Sequence, residues 1–225
     1  MDLDIIYQDN HILSVFKPQN ISMEDLTLTV SNFIKTSKNK EGNIYLQPLF
    51  DLDKCAGGVT VFCLTSKAFE RSRESLQNGE CDFRFYAVTV GETVDTNGGL
   101  SLTVERLKDT KMRKAPMLVD KAIKIDFNYR KLATLQKISL YQITMTEFVR
   151  DSIRFGMSSL KVPVFGDADY EGDTLAKGTY VALYLVDFGF THPTTNAKMT
   201  FRCLPPEKNK PWVYFDLGKL LTVLN

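Results

Sequence analysis

Short apolar runs separated by turn residues dominate the chain, and few stretches repeat at helical spacing. Residues 5–7 and 12–16 are apolar and flank Gln8, Asp9, Asn10 and His11, which predicts two strands around an Asp-Asn turn. Lys17-Pro18 closes the second strand, because proline donates nothing to a ladder. Ser22 and Asp25 make an N-cap pair, and Leu26, Val30, Phe33 and Ile34 then recur on one helical face. Ser66 predicts the start of a second helix, which carries Phe69 and Leu76 and stops at Gly79. Further β-rich runs cover 59–64, 83–90, 124–132, 139–145, 180–190 and 199–203. Many strands with two or three helices predict an α+β fold around a large mixed or antiparallel sheet.

Composition narrows this picture. The chain has 225 residues, 44% hydrophobic and 24% charged, which excludes global disorder and fits one domain over 1–225 with a core that needs no metal or disulfide staple. Lys+Arg 28 against Asp+Glu 27 leaves a net charge of +1, so an indiscriminately basic nucleic-acid coat is excluded while a local basic groove is not. The 4 cysteines (Cys55, Cys63, Cys81, Cys203) show no CxxC spacing, and His11 and His192 add no second ligand cluster, so neither structural zinc nor a disulfide framework is expected. The acidic start, Met1 to Asp4, is unlike a leader peptide, and no apolar run approaches the ~20 residues that span a bilayer. The expectation is a soluble, cytoplasmic monomer.

Two segments carry candidate chemistry. In Asp51-Leu52-Asp53, two carboxylates at i and i+2 fall on one side of an extended chain, and the small residues Ala56, Gly57 and Gly58 follow. Such residues allow a ligand close to the backbone. Arg154 lies in an apolar-flanked stretch, where a guanidinium needs an anionic partner. A basic cluster of Arg106, Lys108, Lys111, Arg113 and Lys114, continued by Lys121 and Lys124, is either a solvated loop or a phosphate-contacting one; Lys35, Lys38 and Lys40 form a smaller group. The run 167–173 imitates a calcium loop but has Gly178 where a bidentate Glu belongs. No GxSxG occurs, and His192 sits in a turn, so a Ser or Cys triad is unsupported. Asp51-x-Asp53 as a Mg²⁺ site lacks an accompanying phosphate loop.

In order along nearly the whole chain, these motifs resemble the RluA-type RNA pseudouridine synthases. The opening IIYQDNHILSVFKP is similar to the family's first strand pair. Asp51-Leu52-Asp53 with Gly58-Val59 falls on HRLD…TSGL, and Phe83 to Val88 on KRYLAL. Phe127 to Arg130 resembles a THYR strand. Ile153-Arg154 with Pro163 to Tyr170 resembles IR…HPxxGDxxY, and Phe190 to Thr195 looks like FxHPxTG.

The resemblance implies a long mixed, mainly antiparallel sheet with a few flanking helices and a central cleft. It implies isomerisation of uridine to pseudouridine in rRNA or tRNA, without cofactor or metal and without DNA or membrane partners. Asp53 would be the nucleophile or base, Arg154 its ion-pair partner and Phe85 the ring that stacks on the flipped base. Lys17, Arg84, Arg106, Lys111, Arg113, Lys114 and Arg150 would contact RNA. An N-terminal S4-like domain finds no room before residue 5.

Departures from the pattern carry a second reading. The HRLD His and Arg are Phe50 and Asp51, the stacking Tyr is Phe85, and GRTHQIR ends here in Val149-Arg150-Asp151-Ser152-Ile153-Arg154. Carboxylates of Asp51 and Asp53 about 7 Å apart would repel by about 2.4 kcal/mol at an effective dielectric near 20, unless Arg154 offsets this or Asp51 turns to solvent. The alternative is a catalytically silent relative that binds RNA or a maturing ribosomal particle.

Overall fold

The structure, a computed structural model, describes residues 3–37, 39, 41–107, 111–115, 122–170 and 180–218. Lys38, Lys40, Lys108, Lys121, the last three residues of the calcium-like run and Gly178 lie outside the described residues.

The expected opening hairpin is present as β1 (Ile5–Gln8) and β2 (Ile12–Lys17), with the Asp9 carboxylate accepting the amides of His11 and Ile12 at 2.7 and 2.8 Å. Ser22 and Asp25 start α1 (Met23–Ser37) as predicted: the Asp25 amide donates to Ser22 Oγ at 3.0 Å and the hydroxyl returns to the carboxylate at 2.7 Å. The second helix, α2 (Ser66–Gln77), is capped one residue earlier than expected, because the Thr65 hydroxyl accepts from the Ala68 amide at 3.2 Å. Gly79, at φ +68°, follows its end.

Between the helices run β3 (Gln47–Pro48) and β4 (Gly57–Cys63), followed by β5 (Asp82–Val90), β6 (Asn97–Arg106), β7 (Met112–Lys114), β8 (Ile123–Leu135) and β9 (Ile138–Met145). Then come α3 (Ser152–Ser159), β10 (Leu183–Thr191), β11 (Lys198–Arg202) and a 3₁₀ turn, Trp212–Tyr214. They join in one 11-stranded sheet of order β1-β2-β4-β10-β5-β9-β8-β6-β7, with β11 paired to β10 and β3 to β4. All pairs are antiparallel except β4 with β10. The α+β class with a large mixed, mainly antiparallel sheet is therefore as expected. No helix among the described residues is long and apolar enough to cross a membrane.

Strands β4 and β10 sit at the centre and are buried almost throughout, so they read as continuous apolar runs rather than alternating ones. Their parallel junction explains the Gly57-Gly58 pair. A Cβ on Gly57 would strike the Tyr184 ring, and one on Gly58, at φ +130°, would strike the Leu185 backbone. These glycines serve strand packing and do not open the backbone to a ligand.

Strand β6 and helix α3 were not anticipated. Helix α3 packs on β7 and β8, where a Cβ on Gly156 would collide with the Phe127 ring. It carries Arg154.

Candidate active site

Several of the residues singled out from sequence, Lys17, Asp53, Arg150 and Arg154 among them, meet where the 49–56 loop faces the start of α3. Lys17, expected to contact RNA, instead builds that loop. Its side chain is fully buried and its ammonium donates to the carbonyls of Ala56 (2.7 Å), Asp53 (3.1 Å) and Lys54 (3.2 Å). Burial lowers its pKa to about 8, against the charges of Cys55, Asp53 and Asp51. A buried ammonium enclosed by carbonyls has no surface left for phosphate, which corrects the RNA-contact expectation. Gln19 adds a second clamp, donating to Cys55 O at 2.8 Å and also to Val181 O. Lys17→Met should remove the donor for these carbonyls, and for that of Pro18 at 3.3 Å, and cost roughly 2–4 kcal/mol of stability, read by urea denaturation. A loss near zero would mean that the loop holds its shape without the ammonium.

Asp53 is 2% exposed. One oxygen, Oδ1, accepts the Asp151 amide at 2.9 Å; the other, Oδ2, is buried with no hydrogen-bond partner. Burial, then the charge of Asp151, pushes its carboxyl up to about 7, against the pull of Arg154, the Asp151 amide and Arg150. Asp51, feared as the repelling neighbour, is 59% exposed and pairs with Arg150 at 3.1 Å. The competing carboxylate comes from Asp151 instead, 98 residues away in sequence.

The direct Asp53–Arg154 ion pair is absent. Arg154 forks onto Asp167, Nε to Oδ2 at 2.7 Å and one terminal nitrogen to Oδ1 at 2.6 Å, and reaches Asp151 at 2.8 Å and Asp169 at 2.9 Å. It also lies over the Tyr170 ring, 5.0 Å from the centroid. Burial opposes its charge, and the bonds to Asp167 outweigh that and raise its pKa. The reason for the altered pairing is geometric: Asp167 is fully buried and offers the planar two-oxygen match that a guanidinium prefers. Arg154 therefore reaches Asp53 through Asp151, whose side chain it holds and whose amide holds Asp53.

Asp151 is the node that sequence reasoning missed. It is a non-glycine residue at φ +67°, at the N-cap of α3, and its second oxygen takes Arg106 at 2.9 Å. That left-handed conformation is uncommon outside glycine, though tolerated best by Asp and Asn, and aims its amide at Asp53. The available signal was its spacing: a carboxylate three residues before Arg154 on one helical turn.

Phe85 is fully buried, on the sheet face that carries the site. The ring of Phe148, itself half-buried, covers it at a centroid distance of 5.1 Å and an interplanar angle of 32°. Arg84, adjacent in β5, points to the opposite face, where it pairs with Asp187 at 2.7 Å beside Arg202. The other cations flank the site. Arg106 holds Asp151 and the Arg150 carbonyl, Lys111 lies 3.3 Å from Asp169, and Arg113 pairs with Glu105. Lys114 is exposed.

His192 is structural. Its Nδ1 accepts the amides of Thr194 and Thr195, and Nε2 faces Asp9 at 2.8 Å. Among the described residues no group of three or more His, Cys, Asp or Glu is arranged to hold a metal ion, and the 4 cysteines are free.

The sheet and the site together define a pseudouridine-synthase fold. Two human structures superpose on almost the whole chain: RNA Pseudouridylate Synthase Domain Containing 4 at TM-score 0.74 and 17% identity, covering 97% of this chain and 93% of that one, and RNA Pseudouridylate Synthase Domain Containing 1 at TM-score 0.75 and 15% identity, covering 99% and 94%. In sequence, the chain is 25% identical over 203 residues to the dual-specificity RNA pseudouridine synthase RluA of Haemophilus influenzae, covering 88% of this chain and 91% of that protein. It is 22% identical over 224 residues to tRNA pseudouridine synthase C of Haemophilus ducreyi, with 91% of each covered. No family model matches. Over most of its length, and at low identity, the chain is similar to proteins named RNA pseudouridine synthases, RluA among them.

Proposed function

We propose that the chain isomerises uridine to pseudouridine in a structured RNA, rRNA or tRNA, with Asp53 as the attacking carboxylate at the glycosidic linkage. The observation that carries this is the lone Oδ2 of Asp53. A buried carboxylate oxygen with no partner is costly to the fold, and beside a guanidinium-anchored carboxylate pair that cost supports a group kept for chemistry. The reaction breaks the N1–C1′ bond, joins C1′ to C5 and moves one proton from C5 to N1, so no oxidant or co-reactant enters the balance. Similarity over most of the chain to proteins named RNA pseudouridine synthases supports the reaction class.

In this reading Arg154 is a positioning residue. It fixes Asp151, whose amide favours the ionised form of Asp53 and orients it. Phe85 supplies the face on which the extruded base stacks, returning ~1–3 kcal/mol against the cost of unstacking. Lys111 and Arg150 border the site, and with Arg113 and Lys114 they would meet phosphates, a contact that weakens steeply with salt.

The test is a pseudouridine map of total RNA from cells with and without the protein. One or more sites should vanish without it, return with the wild-type chain and stay absent with Asp53→Asn. A second reading, the silent RNA-binding relative, is favoured by one observation: Phe85 is fully buried, with the Phe148 ring against it. An unchanged map, with Asp53→Asn restoring any growth defect, would select that reading.

A further inference from the structure

A nucleobase cannot stack on Phe85 in the structure as it stands, because an aromatic ring is already there. The segment between β9 and α3 supplies that ring, and its contacts are of two unequal kinds. Phe148 lies on Phe85 and, at 5.8 Å, on Phe83. Arg150 reaches across to Asp51 at 3.1 Å, both side chains being well exposed, at 39% and 59%. Thr146 and Glu147 face solvent, and the Asp151 amide closes over Asp53. Two buried groups assigned to the reaction, Phe85 and Asp53, are thus covered by one six-residue stretch. Its ring is half-buried, and its charged latch is of the exposed kind worth little.

We infer that Phe148 is a surrogate for the target base: it occupies a stacking position on Phe85 in the free protein, and a nucleotide enters by displacing it together with residues 146–149, released at Arg150–Asp51, while Asp151 stays on Asp53. This rests on the reading of Phe85 as the base-stacking ring. The ring exchange is close to isoenergetic, since one aromatic contact replaces another. It leaves Phe85 shielded from water while no RNA is bound. At the α3 end the chain is fixed, Asp151 in its left-handed conformation being held by Arg154 and Arg106.

The test uses the full chain with two probes, a five-nucleotide oligouridylate and the same backbone lacking its central base, and follows deuterium uptake in parallel. Phe148→Ala removes the competitor and should tighten the oligouridylate by roughly five- to tenfold, while the abasic probe gains nothing. Arg150→Ala should raise uptake of residues 146–149 severalfold and leave β5 and β9 unchanged. No gain in affinity, an equal gain for both probes, or uptake that rises throughout the sheet overturns the inference. The outcome is separable from catalysis: a gain in base binding with an unchanged pseudouridine map sinks the reaction and leaves the surrogate standing. A lost map site with no gain does the reverse.

Discussion

Arg154→Met should lower the unfolding free energy by about 3–5 kcal/mol, a large share of the ~5–15 kcal/mol that a domain possesses. The size follows from what the guanidinium leaves behind. Asp167 would be left at zero exposure with both oxygens stripped of their fork, and Asp151, 8% exposed, would retain Arg106 and, at 4.0 Å, Arg150. Asp169 would lose less, because it is half exposed and has Lys111. Arg154→Lys should recover only part of the loss, since an ammonium cannot present two parallel donors to Asp167. Adding Asp167→Asn to Arg154→Met removes the stranded carboxyl and should restore 1 kcal/mol or more, roughly the scale of coupling between contacting residues. Urea denaturation of the four chains measures all of this. A loss below ~1 kcal/mol in Arg154→Met would mean that water, not the carboxylates, solvates the guanidinium.

That network also marks where sequence reading stops. The strands β1, β2, β4, β5, β8, β9, β10 and β11 were legible because their apolar runs end in turn residues, and α1 because Ser22 and Asp25 form a local cap. Strand β6 carries a clean alternation of Leu100, Leu102 and Val104 with Ser101, Thr103 and Glu105, a period-2 signal overlooked beside Asn97-Gly98-Gly99. Helix α3 begins at a left-handed Asp without a side-chain cap bond, so no ordinary start signal announces it.

Asp53, Arg154 and Phe85 are candidates by their motif positions, yet the partners the structure gives them could not be named from sequence. Which carboxylate a guanidinium selects depends on burial and on fork geometry. Asp151, Asp167 and Asp169 compete for Arg154 on those terms, not on sequence distance. Lys17 was misread for the same reason. In a strand ending at Lys-Pro, nothing local distinguishes a lysine facing solvent from one turned onto the carbonyls of residues 53–56.

Asp53→Asn should act in opposite directions on activity and on stability. Removing the attacking oxygen should reduce isomerisation by at least about 10³-fold, as loss of a nucleophile generally does. Stability responds through protons. The Asp53 carboxyl titrates near 7 in the folded chain, against a reference of 3.8 for a solvated one. Between those values the folded chain holds a proton that the unfolded chain has released, so raising the pH favours unfolding. The stabilisation present at acid pH disappears as the pH climbs through 7; from pH 5 to pH 8 this amounts to roughly 3 kcal/mol. Asparagine has no proton to exchange and can still accept the Asp151 amide through its carbonyl oxygen. The wild-type stability should therefore fall across that range by about 3 kcal/mol more than that of Asp53→Asn, whatever other groups contribute, because those are common to both chains. Urea midpoints of the two chains at pH 5 and pH 8 measure the difference, and parallel curves would place the Asp53 carboxyl at an ordinary acidity. The same titration governs the chemistry, since only the ionised form attacks. On this account kcat/KM for the RNA should rise with pH and level off above the folded-state value.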